Sequence, residues 1–210
     1  MAEPDSNQAS LTPRPKLERN LMWGVYSRGV SVCVQGTPRS GKTTLVLGYL
    51  QKEKIPYIYC KITQGMTWPE FTQALLNQKV RQGPTEPDKD TPALGQEGWC
   101  HDSMDISNVR HLLQDKNAAL VLDDFHNASD DLNARVADLC KSLVTYLDIP
   151  EFAKVIAIGN REVAGRLYDA NHSLEQRLTE IKVHALPGMR ARQKPALTPA
   201  PPNNQLDLGL

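Results

Sequence analysis

Gly36-Thr37-Pro38-Arg39-Ser40-Gly41-Lys42-Thr43 satisfies the spacing G-x-x-x-x-G-K-[ST] at every fixed position. The chemistry open to such a run is phosphate binding. A loop leaving a buried strand wraps an anion with backbone N–H groups, while the positive end of the next helix points at the same charge. The two glycines let the backbone come close, Lys42 brings a point charge to the β- and γ-phosphates, and the Thr43 hydroxyl is the expected Mg²⁺ ligand. An apolar run, Val30 to Val34, precedes the motif and an amphipathic run, Thr44 to Leu50, follows it, which is the strand-loop-helix context the spacing requires. Gly36, Thr37, Pro38, Arg39, Ser40, Gly41, Lys42, Thr43 and Thr44 are therefore the expected nucleotide-binding residues.

Hydrolysis of a Mg²⁺-nucleotide also needs a metal anchor, a group that orients water, and donors for charge developing on the γ-phosphate. Ala118-Ala119-Leu120-Val121-Leu122-Asp123-Asp124 is a short continuous apolar run ending in two carboxylates. Asp123, at the end of that run, is the expected Mg²⁺ carboxylate, acting on the metal directly or through a bound water. Asp124, taken as the next residue of the same strand, faces the other way and is expected to polarise the attacking water. Asn160 ends the apolar run Val155-Ile156-Ala157-Ile158-Gly159, and a carboxamide there can reach the water or the γ-phosphate. Arg177 has two readings, a surface residue or an arginine finger offered to a neighbouring subunit. Asp124, Asn160 and Arg177 are the catalytic candidates.

The elements that must position these groups can be read from periodicity. Leu17, Leu21, Met22 and Val25 recur at helical spacing after Pro13 and Pro15, and the helix ends near Ser27-Arg28-Gly29. A helix runs from Lys42 to about Lys52, and Pro56 to Ile62 has the composition of a strand. Thr67 caps a helix with Pro69 and Glu70 in its first turn and Phe71, Leu75, Leu76 and Val80 on its buried side. The stretch from Arg81 to Ser103 is too long for an ordinary connection and is either a functional loop or an insertion. A helix from Asp105 follows, with Ile106, Val109, Leu112 and Leu113 apolar, and another opens at Asp130-Asp131 with Leu132, Val136, Leu139, Leu143 and Leu147 in phase. A short helix is expected around Glu162 to Tyr168, a further helical segment over Ser173 to Leu178, and a last strand over Ile181 to Leu186. Continuous apolar strands alternating with helices call for a three-layer α/β fold around a five-stranded parallel sheet.

Composition narrows the rest. The 210 residues suit one domain, expected over 13–188, between a polar leader at 1–12 and a Pro-rich tail at 189–210. Acidic and basic residues number 24 each, so no global charge announces nucleic acid or an anionic membrane. No run is long and apolar enough to span a bilayer, and Met1-Ala2-Glu3-Pro4-Asp5 lacks a secretory pattern, so a cytoplasmic protein is expected. Cys33, Cys60, Cys100 and Cys140 fall at no metal-type spacing and read as reduced thiols.

The run Gly36 to Thr43, then Leu120 to Asp124, then Ile158-Gly159-Asn160, then Leu174-Glu175-Gln176-Arg177-Leu178 resembles, in order, the Walker A, Walker B, sensor-1 and pre-final-strand arginine boxes of the AAA+ and STAND P-loop ATPases. Gly159-Asn160-Arg161-Glu162 followed by Leu174 and Arg177 is most similar to the transposition-regulator and origin-recognition type. The resemblance implies a P-loop NTPase core, ATP and Mg²⁺ as cofactors, and ATPase activity. It also implies two departures. The second Walker B acid, usually Glu in the family, is the shorter Asp124, and nothing after Gly188 reads as the family's helical lid, so closure is expected from self-assembly or a protein partner. Gln205-Leu206-Asp207-Leu208-Gly209-Leu210 resembles the peptides by which bacterial replication and repair proteins dock on the β sliding clamp, on a tether from Pro199 to Asn204. Two functions stay open: a switch or adaptor in a DNA transaction, and a STAND-type signalling or defence NTPase that gates an effector. A small-molecule kinase is a third, without a recognisable acceptor lid.

Overall fold

The computed structural model describes residues 14–83, 92–98, 104–145 and 150–185. The expected leader, most of the 81–103 connection, Cys100, Leu147 and the tail with Gln205–Leu210 lie outside them. Among the described residues the order is α1 Pro15–Tyr26, β1 Ser31–Gly36, α2 Lys42–Lys52, β2 Tyr57–Lys61, α3 Trp68–Leu76, α4 Ile106–Asp115, β3 Ala119–Asp123, α5 Asp130–Thr145, β4 Lys154–Gly159, α6 Val163–Ala170 and β5 Leu178–Val183. The five strands form one parallel sheet in the order β2-β3-β4-β1-β5.

Strand order and handedness together decide where the helices go. From β1 the chain moves across the sheet to β2 at one edge, and every later crossover moves back the other way. With right-handed crossovers, α2 must then lie on one face and α3 to α6 on the opposite face. The two apolar cores follow that division. Val32, Val34, Val121, Ile156 and Ile158 pack with Leu21 and Val25 of α1 and Val46 and Leu50 of α2. Cys33, Leu120, Leu122 and Ala157 pack with Phe71, Leu112, Leu132, Val136 and Leu167 from α3 to α6. Because β1, β3 and β4 are covered on both sides, all their residues are buried, which explains their unbroken apolar runs. β1 and β4 are neighbours whose outgoing connections take opposite faces, the switch point above which open α/β sheets bind ligands.

Local signals set several boundaries as expected. Thr67 and Glu70 form a reciprocal capping box on α3, with the Thr67 N–H donating to Glu70 Oε2 at 2.8 Å. Asp105 caps α4 through the Asn108 N–H at 2.8 Å. The end of the chain's core differs. Where helical spacing suggests a segment over Ser173 to Leu178, the structure has only a 3₁₀ turn, His172–Leu174, and β5 begins at Leu178 rather than Ile181. The cause is pairing: the Ser31 N–H donates to Arg177 O at 3.0 Å, so the ladder with β1 starts before the apolar residues do. β5 is an edge strand, and its Thr179, Glu180 and Lys182 hide a strand from composition alone. Val80, expected on the buried side of α3, lies beyond that helix and is only half-buried.

One buried charge fastens α1 to the sheet. Lys154, 4% exposed at the start of β4, donates from Nζ to the carbonyls of Gly24 (3.3 Å), Val25 and Ser27 (3.0 Å), groups that the end of a helix leaves without partners. Burial pulls its pKa down from 10.5 to about 8, against the raising effect of Glu151. Between those values the unfolded chain holds a proton that the folded chain has released, so stability rises with pH across the window. Urea denaturation from pH 7 to 10.5 is expected to show the native chain gaining up to about 3 kcal/mol relative to Lys154→Met, with a pH-independent difference contradicting it.

Candidate nucleotide site

β1 ends at Gly36 and α2 begins at Lys42, so the loop 37–41 turns over the sheet edge. A Cβ on Gly36 would stand 2.1 Å from Val183 O, so β5 passes too close for any side chain there. Gly41 has φ +81°, in the left-handed region that glycine enters freely, and immediately precedes the first turn of α2. Arg39 also has a positive φ, +59°, at the exposed tip beside Pro38. Ser40 is buried, and its hydroxyl oxygen has no hydrogen-bond partner, an orphaned polar atom inside the loop. Lys42 Nζ donates to Gly36 O (3.2 Å) and Thr37 O (2.8 Å), holding the ammonium over the loop. Desolvation lowers its pKa, with Asp123 and Asp124 opposing. Thr44 points outward from α2 and is exposed.

Asp123 is the hub of the site. Its carboxylate, 7% exposed, accepts from Thr43 Oγ1 at 2.9 and 3.0 Å, from the Tyr59 hydroxyl at 2.9 Å and from the Asp124 N–H at 3.0 Å. Thr43 comes from α2, Tyr59 from β2 and Asp123 from β3, so three elements converge on one acceptor. The Tyr59 hydroxyl has its pKa raised, first by burial and then by its bond to Asp123, and stays a donor throughout the physiological range.

Asp124 lies past the end of β3 with φ +54°, so strand alternation does not place it. The left-handed turn does, and its carboxylate sits 3.7 Å from Lys61 Nζ at the end of β2, on the exposed side of the site. Asn160 follows β4 and spends its carboxamide locally: Oδ1 accepts from the Glu162 N–H at 2.9 Å, and Nδ2 reaches Glu162 Oε2 at 3.4 Å. Gly159 before it cannot carry a Cβ, which would meet Val163 at 2.4 Å and the His126 backbone N at 3.2 Å. Arg177 stands at the amino-terminal end of β5 and so at the opposite edge of the sheet from its own phosphate loop, separated by roughly 17 Å of strand.

Sequence reasoning missed four groups near the loop. Tyr59 and Lys61 were visible only as strand residues, and their role depends on β2 lying beside β3, which places Lys61 opposite Asp123. Arg14 donates from Nη1 to His184 O at 3.3 Å and brings its other nitrogen to 3.8 Å from where a Cβ on Gly41 would be. Gln35 is 4% exposed, donates to Glu180 Oε2 at 2.7 Å, and leaves its own carbonyl oxygen without a partner. It lines a cavity of about 490 Å³ with Gly36, Arg161, Tyr168, Glu180 and Lys182. The thiols of Cys33, Cys60 and Cys140 are buried and pushed up by desolvation, so none supplies a nucleophile here.

This donor set fits a Mg²⁺-nucleotide. Among the described residues no cluster of three or more His, Cys, Asp or Glu could hold a metal. The paired oxygens of Thr43 and Asp123 are what Mg²⁺ takes when phosphates and water complete its shell. Fold and site together define a P-loop nucleotide-binding protein. The chain belongs to the AAA domain family, whose model matches residues 26–167.

A solved structure agrees on the fold. A Walker-type ATPase of Pyrococcus abyssi superposes with TM-score 0.54 at 16% identity, over 87% of this chain and 56% of that one. The ADP form of the ORC2 protein of Aeropyrum pernix (TM-score 0.48, 13% identity, 81% of this chain and 46% of that one) and Cdc6p from Pyrobaculum aerophilum (0.47, 17%, 82% and 47%) are also similar. The chain thus spans about half the length of these proteins. No curated protein matches it.

The hub makes its own prediction. Tyr59→Phe removes one donor to a buried carboxylate and is expected to cost about 1–3 kcal/mol in thermal or urea unfolding and to weaken Mg²⁺-dependent nucleotide affinity several-fold. Unchanged stability and affinity would show that Asp123 does not need Tyr59.

Proposed function

We propose that this chain binds and hydrolyses ATP and works as a switch or adaptor in a DNA transaction such as replication, repair or transposition. The observation that carries the ATP reading is the Thr43–Asp123 pair at the mouth of a loop that has Lys42 folded over it and an orphaned Ser40 hydroxyl inside it. In this reading residues 36–43 hold the phosphates, and Thr43 and Asp123 hold Mg²⁺, which when bound neutralises developing phosphate charge. Asp124 orients the attacking water, which requires it to leave Lys61. Asn160 supplies a donor toward the γ-phosphate, which requires it to release Glu162. Arg177 cannot reach its own loop and serves the nucleotide of a neighbouring chain, so turnover depends on assembly.

The DNA setting is supported by the order and type of the four boxes and by the likeness of Gln205–Leu210 to clamp-docking peptides. The Asp124 carboxylate in a position usually filled by Glu favours a second reading, a STAND-type NTPase that gates an effector. The two separate in one experiment: ATP turnover measured with DNA, with sliding clamp, and with candidate effector proteins. In a clamp pull-down the intact chain is expected to bind and a chain lacking residues 205–210 to fail. Equal or absent binding in both removes the clamp argument.

For the chemistry, Lys42→Ala is expected to lose ATP binding. Asp124→Asn is expected to bind ATP normally and hydrolyse it at least about tenfold more slowly. Arg177→Ala is expected to bind ATP but lose the turnover that rises with chain concentration, by about 10³-fold or more. Retained binding and turnover in Lys42→Ala would defeat the reading.

A further inference from the structure

We infer that the outer face of α1 is a self-complementary docking surface, on which a second copy of this chain packs antiparallel about a twofold axis near Met22 and Trp23. The inner face of α1 is used: Leu21, Gly24 and Val25 are buried against the sheet. The outer face is not. Trp23 is 66% exposed, Met22 40% and Tyr26 39%, and these are the large apolar side chains left open among the described residues. With Arg19 they sit at i, i+3, i+4 and i+7, one continuous stripe of a helix. Trp, Tyr, Met and Arg are the side chains that protein interfaces concentrate.

The charges around the stripe say what covers it. At its amino-terminal end Lys16 and Arg19 are exposed and make no ion pair among the described residues. At the other end Tyr26 packs edge-on against Phe152, ring centroids 5.7 Å apart, which brings the neighbouring Glu151 to this corner, and Glu53 ends α2 beside it. Burial and then both carboxylates raise the Tyr26 pKa. A second copy turned by a twofold axis lays the Lys16–Arg19 end of each α1 on the Glu53–Glu151 corner of the other, while Met22 meets Trp23 at the centre. A nucleic acid strand running along the stripe would meet cations at one end and carboxylates at the other. The patch is small beside the roughly 800 Å² per partner of stable complexes, so the association is weak and concentration-dependent. The pairing does not rest on the nucleotide reading, and its test is run without nucleotide.

Sedimentation velocity of the full chain over a concentration series is expected to show a monomer–dimer equilibrium, with Trp23→Ala raising the dissociation constant at least tenfold. The sharper test is a charge exchange. The double variant Lys16→Glu with Arg19→Glu, and the double variant Glu53→Arg with Glu151→Arg, each checked for folding by circular dichroism, are expected to be monomeric alone and to form a heterodimer when mixed. A mixture that stays monomeric, an intact chain that never self-associates, or association unaffected by Trp23→Ala would overturn the inference. So would a Trp23 fluorescence change with single-stranded DNA in a chain that remains monomeric.

Discussion

The contact between the Thr43 hydroxyl and the Asp123 carboxylate is the constraint on which the nucleotide site depends. It exists only if the amino terminus of α2 and the carboxyl end of β3 meet at one edge of the sheet. Parallel pairing through β4 secures that: Gln35 lies opposite Gly159, and Ala157 opposite Leu122, so the three strands end nearly level. Asp123 then has three donors around it, which offset the cost of burying its charge, and Tyr59 ties β2 into the same arrangement. Shifting any one strand by a residue would separate these groups. The unbroken burial of β1, β3 and β4 that drives folding therefore also sets the Thr43–Asp123 pair in place.

The groups proposed to act on the γ-phosphate are less committed. Asp124 is held by Lys61 and Asn160 by Glu162, both through exposed contacts that cost little to break. Asp123 is locked while Asp124 and Asn160 are loosely held. In the proposed reading, nucleotide binds in a preformed cradle and turnover waits for a rearrangement or a partner, with Arg177 standing at the far edge of the sheet.

Much of this is legible in the sequence. The loop Gly36–Thr43, the buried strands, the cap at Thr67, the helix start at Asp105, and the acid at the end of β3 all follow from local rules, because each depends on residues close in the chain. The groups that were not legible depend on which strands lie side by side. Tyr59 and Lys61 acquire a role only from the β2–β3 neighbourhood, and Lys154 is buried only because α1 lies over the start of β4. The error over β5 has the same origin: Ser31 and Arg177 are distant in sequence, and their pairing starts a strand that its own polar composition conceals. The face assigned to Asp124 failed for a local reason, a left-handed turn where regular strand was assumed.

Asp123 and Thr43 are proposed to make the phosphate loop a Mg²⁺-nucleotide site. The most direct test is the affinity for a fluorescent ATP analogue measured with Mg²⁺ and with EDTA, in the native chain and in Asp123→Asn. The native chain is expected to bind tightly, with Mg²⁺ strengthening the binding, and the variant to bind the analogue without any gain from Mg²⁺. No binding by the native chain, or the same Mg²⁺ gain in both proteins, would contradict it.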